Sequence, residues 1–305
     1  MDSDELMTRS HSSPRTLQAY AFAWSYFSDW CKRAELQPLP CVGNTVRLYV
    51  TWMTRRKKRK VATAMHHISA IRYYHRTRGF EAPPTADAVA ALNAVRLERR
   101  ERPEGKASLE PDDLLRAVRA CPLDSTTGLR DRAILVLGFA TTLRRSELSR
   151  LQLSDLKFVP EGIVVRLRYS KTDQAGEGED IPVWPGEREE TDPVKTVKSW
   201  LAKRGDWDGA LFCSLTRGGF LRMKPVTGET IHERVQLAIE RAGIDSSCRY
   251  GSHSLRAGAV TASSRIGRTT QEIKGMSRHE STQVMEGYIR GERLFAGRNP
   301  LEGVL

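Results

Sequence analysis

Apolar positions recur at helical spacing through the first hundred residues. Ser13-Pro14 reads as a cap followed by proline at the first helical position, and Leu17, Tyr20, Trp24, Phe27 and Cys31 follow on one face. An aromatic stripe of this kind is a core face far more often than a ligand site. Gln37-Pro38-Leu39-Pro40 breaks that helix. Val46, Val50 and Met53 predict a second helix, ending in the run Arg55-Arg56-Lys57-Lys58-Arg59-Lys60. Ile68, Ile71 and His75 belong to a third, stopped by Gly79. Pro83-Pro84-Thr85 opens a fourth, with Val89, Leu92 and Val95 on one face. The expectation is a compact helical bundle. Residues 99–107 are charged and hold a proline and a glycine, the composition of a linker. The boundary falls near Pro103, giving a helical domain over 1–102, a linker over 103–107 and a second domain over 108–305.

The pattern changes in the second part. Glu110-Pro111-Asp112-Asp113 starts a helix, and Asp131 to Phe139 is a strongly apolar one. Gly162 to Tyr169 alternates and is β-branched, and Ile181-Pro182-Val183 answers it across the polar turn Ser170 to Asp180. That predicts a β-hairpin with a long tip. From Val194 onward the pattern returns to helix. The expected class is mainly α with a small β-sheet.

Composition narrows the function classes. Charged residues at 28% and apolar residues at 39% exclude wholesale disorder. The longest apolar run, Ala133 to Leu143, is 11 residues, well short of the roughly 20 that a membrane-spanning helix needs. Met1 to Arg15 has no apolar segment of a secretory signal, and the five cysteines are odd in number and never closely paired. A reducing cytoplasm is the expected compartment. The net charge is +12, and residues 1–102 carry 18 Lys and Arg against 9 Asp and Glu, leaving 31 against 28 for the rest. A third of the chain therefore holds three quarters of the excess. Such a concentration is the footprint of a phosphate-backbone partner. A basic run alone is more often a solvated loop. Here it leads into a helix, and His66, His67, Arg72, His75, Arg76 and Arg78 follow on the next turns.

Four segments of the second domain collect residues suited to phosphate chemistry. In Thr141-Thr142-Leu143-Arg144-Arg145-Ser146-Glu147-Leu148, Arg144 sits where one helix gives way to another, with Glu147 placed to orient it. Lys171 lies at the hairpin tip. His253 and Arg256 are three residues apart, on one helix face, a combination fit to clamp an oxyanion. His279 is followed nine residues later by Tyr288. Each signal has an ordinary alternative: a surface ion pair, a solvated lysine, a structural pair, a packed tyrosine. His66-His67 lacks partner ligands at useful spacing, and no metal or other cofactor is expected.

Taken together, the order Arg144, Lys171, His253-x-x-Arg256, His279, Tyr288 resembles the tyrosine recombinase, or phage integrase, family. Arg256 to His279 is 23 residues and His279 to Tyr288 nine, both intervals of that family. RDRAILVLGFATTLRRSELSRLQLSD resembles its first arginine box, and TLQAYAFAWSYFSDWCKRAELQPLP and ISAIRYYHRTRGFEAPP are similar to the Cre-like branch. The resemblance implies a SAM-like helical core-binding bundle and an α-rich catalytic domain with a small sheet, closing as a clamp on duplex DNA. It implies that Arg144, His253, Arg256 and His279 surround a scissile phosphate. Tyr288 would be the nucleophile, Lys171 the general acid and Glu147 the support of Arg144. Arg55, Arg56, Lys57, Lys58, Arg59, Lys60 and Arg72 would touch DNA phosphates. The implied activity is site-specific recombination at inverted-repeat DNA sites. It would proceed through a 3′-phosphotyrosyl intermediate and a Holliday junction, without metal or ATP. The implied protein is a tetramer on synapsed DNA, a monomer when free, and resident in the cytoplasm on the nucleoid. The tail after Tyr288, with Leu294, Phe295, Leu301 and Leu305, would dock on a neighbouring protomer or pack in cis. Two positions depart from the family: Thr142 and Arg278 stand where glycine is usual. A β-branched residue resists positive φ, so the turn at Thr142 is expected to differ. The alternatives are a type IB topoisomerase, disfavoured by the N-terminal bundle and the tail, and a non-catalytic DNA-binding factor, disfavoured by the full residue set.

Overall fold

The computed structural model describes residues 14–101, 107–168, 178–245 and 250–278, and the chain divides into two compact units, Met1–Glu104 and Gly105–Leu305. Among its described residues the first unit holds four helices, α1 (Pro14–Arg33), α2 (Gly43–Thr51), α3 (Val61–Arg76) and α4 (Ala86–Glu98), with a π-helical turn at Trp52–Arg56 after α2. α1 packs on α3, and α2 on α4. Phe27, Trp30, Cys31, Val46, Tyr49, Val50, Met53, Ile71 and Leu92 form its core, which absorbs the buried half of the aromatic stripe. Trp24 is half-buried against that core.

Two histidines grouped with the basic surface belong to this core instead. His67 and His75 are buried, because they share the α3 face that carries Ile71. Every ring nitrogen of His75 has a role: Nε2 accepts from the Cys41 N–H at 3.0 Å and Nδ1 bonds the Ile71 carbonyl at 2.8 Å. His67 Nδ1 lies 2.7 Å from the Tyr49 hydroxyl. Burial pushes the His67 pKa down to about 4, aided by the nearby charges of His66 and Arg59. His66, Arg72, Arg76 and Arg78 are exposed.

The second unit is built around α6 (Thr126–Thr141), with α5 (Pro111–Arg119), α8 (Pro193–Arg204), α9 (Gly228–Arg241) and α10 (Ser252–Arg265) packed against it. A four-residue helix, α7 (Arg145–Leu148), follows α6 directly, and α11 (Thr270–Ser277) packs on α10. Strands β1 (Leu156–Val159), β2 (Gly162–Leu167) and β3 (Glu179–Val183) make an antiparallel sheet in that order, with Ile163 opposite Val183 and Val165 opposite Ile181. The side chains of Ile163, Val165 and Leu167 point into the core, as period-two alternation requires. The expectation that the pattern returns to helix from Val194 onward is corrected by a second hairpin, β4 (Cys213–Leu215) and β5 (Leu221–Pro225). Its strands are three and five residues long and largely unburied, so they carry no alternating signal.

α6 begins earlier than its apolar pattern, capped by Ser125, whose Oγ accepts from the Gly128 N–H at 3.0 Å. Its first turns bury three charges. Asp131 accepts from Arg130 at 2.9 Å and from Arg234 of α9 at 2.6 Å, while Arg130 also donates to the Cys213 carbonyl at 3.1 Å. Arg132 donates to the Val118 and Cys121 carbonyls at 2.9 and 3.0 Å. The base of α6 is thereby tied to α5, α9 and β4. α10 comes close enough to the entering chain for Leu109 N–H to donate to the Ser254 carbonyl at 3.0 Å. That approach needs Gly258: a Cβ there would lie 1.9 Å from the Leu109 carbonyl oxygen. Cys31, Cys41, Cys121 and Cys213 are buried free thiols, and burial pushes Cys31 up to about 12 and Cys121 to about 11. Among the described residues no helix is long and apolar enough to cross a membrane.

Candidate active site

Among the described residues, the ends of α6 and α11 meet the first turn of α10. A helix leaves its last carbonyls without intrahelical partners, and those oxygens carry the negative end of the helix dipole. At the end of α6 two arginines from distant sequence take these carbonyls. Arg278 Nη2 donates to the Thr141 carbonyl at 3.0 Å, and Arg256 Nη1 donates to the Thr142 carbonyl at 2.9 Å.

Thr142 itself leaves the helix in the left-handed region, at φ 51° and ψ 23°. The turn therefore keeps a glycine-like conformation, contrary to the expectation that a β-branched residue would avoid it. The penalty of roughly 1–2 kcal/mol is met by contacts a glycine cannot make. The buried Thr142 Oγ1 donates to the Met276 carbonyl at the end of α11, at 3.1 Å. Residue 142 is thus held at its side chain and at its carbonyl.

This turn delivers Arg144, the N-cap of α7. The Glu147 carboxylate, nearly fully buried, accepts from the Arg144 N–H at 2.8 Å and from its guanidinium at 2.7 Å. One carboxylate therefore fixes both the start of α7 and the direction of the Arg144 side chain, which stays 24% exposed. Arg256 is buried one helical turn after His253, which is exposed. The N-terminus of α10 is set by Ser254, whose Oγ accepts from the Gly251 N–H at 3.0 Å, and by His232, whose Nδ1 accepts from the Ser252 N–H at 3.2 Å. His232 escaped the sequence reading. Its only signal is Gly251, where a Cβ would lie 2.2 Å from the imidazole.

Arg278, the C-cap of α11, also adopts positive φ, 53°. Its side chain is nine-tenths buried, and Nε lies 3.8 Å from Glu179 Oε2 on β3. Burial pushes the guanidinium pKa down from its ordinary value. The carboxylates of Glu147 and Glu179 hold it up, and the charge of Arg144 pushes it down further. Lys171, His279 and Tyr288 lie outside the described residues, as does the tail after Tyr288. Lys171 falls between the end of β2 and the start of β3, and His279 directly follows Arg278.

In the first unit Arg55, Arg56, Lys57, Lys58, Arg59, Lys60 and Arg72 are all exposed. Arg55 pairs with Glu98 at 2.9 Å, and the Lys57 ammonium stands 5.5 Å over the Trp52 ring. The Arg99 guanidinium donates to the Arg59 carbonyl at 3.0 Å, fixing the backbone of the run.

Chemically, the second unit offers guanidiniums held by hydrogen bonds, Arg144 to Glu147 and Arg256 to the Thr142 carbonyl. Such preorganised donors stabilise charge developing on phosphate oxygens without reorganising. Among the described residues no group of three His, Cys, Asp or Glu side chains could hold a metal ion.

A model of the phage integrase family matches residues 107–293. The integrase/recombinase xerD homolog of Selenomonas ruminantium is 31% identical over 284 residues, spanning 92% of this chain and 82% of its own. The recombinase cre of Escherichia phage P1 is 25% identical over 283 residues, spanning 87% and 80%. Among solved structures, the XerH site-specific recombinase in a post-cleavage complex with its palindromic difH substrate has a TM-score of 0.68 at 15% identity, over 93% of this chain and 79% of that one. That last likeness is one of fold.

Proposed function

Because the chain belongs to the phage integrase family, we propose that it is a site-specific DNA recombinase that cleaves and rejoins strands through Tyr288. The observation that carries this reading is the convergence at the end of α6. Arg256, 114 residues further along the chain, holds the carbonyl of the turn that delivers Arg144. Two guanidiniums fixed through one turn suit a phosphodiester, whose non-bridging oxygens gain charge during in-line attack.

In the proposed step, Tyr288 Oη bonds to the scissile phosphorus as the bond to the 5′ oxygen breaks. The phenolic proton has a reference pKa near 10, so it must leave during attack, with His253 or His279 as its acceptor. Lys171 protonates the departing 5′ oxygen. Arg144, Arg256 and the two imidazoles hold the phosphate. The 3′-phosphotyrosyl bond conserves the energy of the broken diester, so attack by a second 5′-hydroxyl rejoins the strand without ATP or metal. Two rounds pass through a Holliday junction. The substrate is duplex DNA with an inverted-repeat site, gripped on phosphates by Arg55 to Lys60 and Arg72. The working form is a homotetramer on synapsed DNA, formed from monomers in the cytoplasm and associated with the nucleoid.

The test is a plasmid bearing two copies of the protein's own DNA site, incubated with protein in chelator and without nucleotide. Recombinant circles support the reading. Relaxation of a plasmid lacking the site would point to a topoisomerase, and site binding without any strand transfer to a silent binder.

A further inference from the structure

One buried charge of the site has no part in the chemistry above. Arg278 occupies a left-handed position that glycine would fill without strain, so its side chain is present against the preference of the backbone. That side chain is nine-tenths buried, and its Nε has no hydrogen-bond partner among the described residues. A desolvated guanidinium is costly unless its surroundings use it.

Those surroundings are three segments with separate tasks. Nη2 holds the Thr141 carbonyl at 3.0 Å, three residues before Arg144. Nε faces Glu179 Oε2 at 3.8 Å, on β3, the strand that follows Lys171 in the sequence. The Arg278 N–H donates to the Lys274 carbonyl at 2.8 Å, closing α11 just before His279. Thr142, the other residue standing in left-handed backbone here, returns the contact by donating to the Met276 carbonyl at 3.1 Å. The ends of α6 and α11 are therefore latched twice, each by a side chain from the other's terminus.

We infer that Arg278 is a positioning residue for strand cleavage, aligning the segments that carry Arg144, Lys171 and His279. It acts through these residues and does not itself touch the phosphate. The inference rests on the reading of the site given under the proposed function.

R278G separates the backbone from the side chain, since glycine keeps the left-handed turn and deletes only the guanidinium. The probe is a nicked duplex built from DNA flanking the protein's gene that the protein binds, on which religation cannot hide cleavage. R278G should fold, because relief of the left-handed strain offsets the lost hydrogen bond to the Thr141 carbonyl, and should bind the probe with a Kd within about twofold. Its rate of covalent adduct formation should fall by about tenfold or more, as misplacement of catalytic groups implies. R278K, which keeps charge and a donor, should recover part of that rate. An R278G adduct rate equal to the wild type's overturns the inference, as does a rate loss matched by an equal loss of affinity. If R278G does not fold, R278Q is read by the same two criteria. Wild-type protein that binds the probe but forms no adduct overturns the reading of the site, and this inference with it. An active wild type with an equally active R278G overturns this inference alone.

Discussion

Replacing Glu147 by glutamine tests whether the site is held together electrostatically. Its carboxylate is nearly fully buried and accepts two hydrogen bonds from Arg144, at 2.8 and 2.7 Å, with the Arg278 charge also in range. Glutamine keeps one acceptor oxygen but turns an amide donor toward groups that already donate. The variant loses about one charge-assisted hydrogen bond, worth roughly 1.5–3 kcal/mol. It also leaves two guanidiniums without their shared anion, so the total is about 3 kcal/mol, at the low end for breaking a buried pair. For a unit of this size that is a fall of roughly 6–12 °C in melting temperature. Thermal unfolding followed by circular dichroism reads it directly. Sulfate should recover part of the loss in E147Q, because an anion between the arginines replaces the missing charge. E189Q is the control, since Glu189 is exposed and pairs only loosely with Lys195 at 3.4 Å. An E147Q protein that melts within about 1 °C of the wild type would refute the reasoning, because surface substitutions change stability by no more than about 0.5 kcal/mol.

Other consequences follow from the same structure. Gly258→Ala places a Cβ 1.9 Å from the Leu109 carbonyl oxygen, so α10 must move. A loss of about 3 kcal/mol or more is expected, and an unchanged urea midpoint would contradict it. His67 has a folded pKa lowered from 6.5 to about 4, so its contribution is present above pH 6.5 and is lost as pH falls toward 4. The loss is roughly 3 kcal/mol over that window. His67→Asn should flatten the fall of the denaturation midpoint across it, and an identical fall in the variant would rule the histidine out. Substituting Arg56, Lys57, Lys58 and Lys60 by serine should weaken DNA binding and lower the slope of log affinity against log salt by about 0.9 for each phosphate contact removed. An unchanged slope would place the DNA elsewhere.

The helices and the three-stranded sheet's inner hairpin were legible because their residues repeat at 3.6 or two. The core positions Val46, Val50, Ile68, Ile71 and Leu92 stand out as apolar in polar surroundings. Buried charges were not legible. Nothing in Arg130-Asp131-Arg132 itself marks these charges as buried, because their partners are remote, Arg234 lying 103 residues beyond Asp131. The same holds for His67 and His75, whose burial depends on partners at Tyr49 and Cys41. β1, β4 and β5 are short and partly exposed, so hydrophobic pattern cannot mark them. In the site, the Arg144–Glu147 pairing could be read from spacing. Sequence marked Thr142 and Arg278 only as oddities, because the latch between them exists only where two helix ends meet.

In the proposed reaction Tyr288 becomes covalently joined to DNA. The direct measurement is denaturing electrophoresis of protein incubated with the nicked duplex it binds, followed by mass spectrometry of the digested adduct. The expected product is a 3′-phosphate ester on Tyr288, lost in Tyr288→Phe while DNA binding persists. An adduct that survives in Tyr288→Phe, or that maps to another residue, would contradict it.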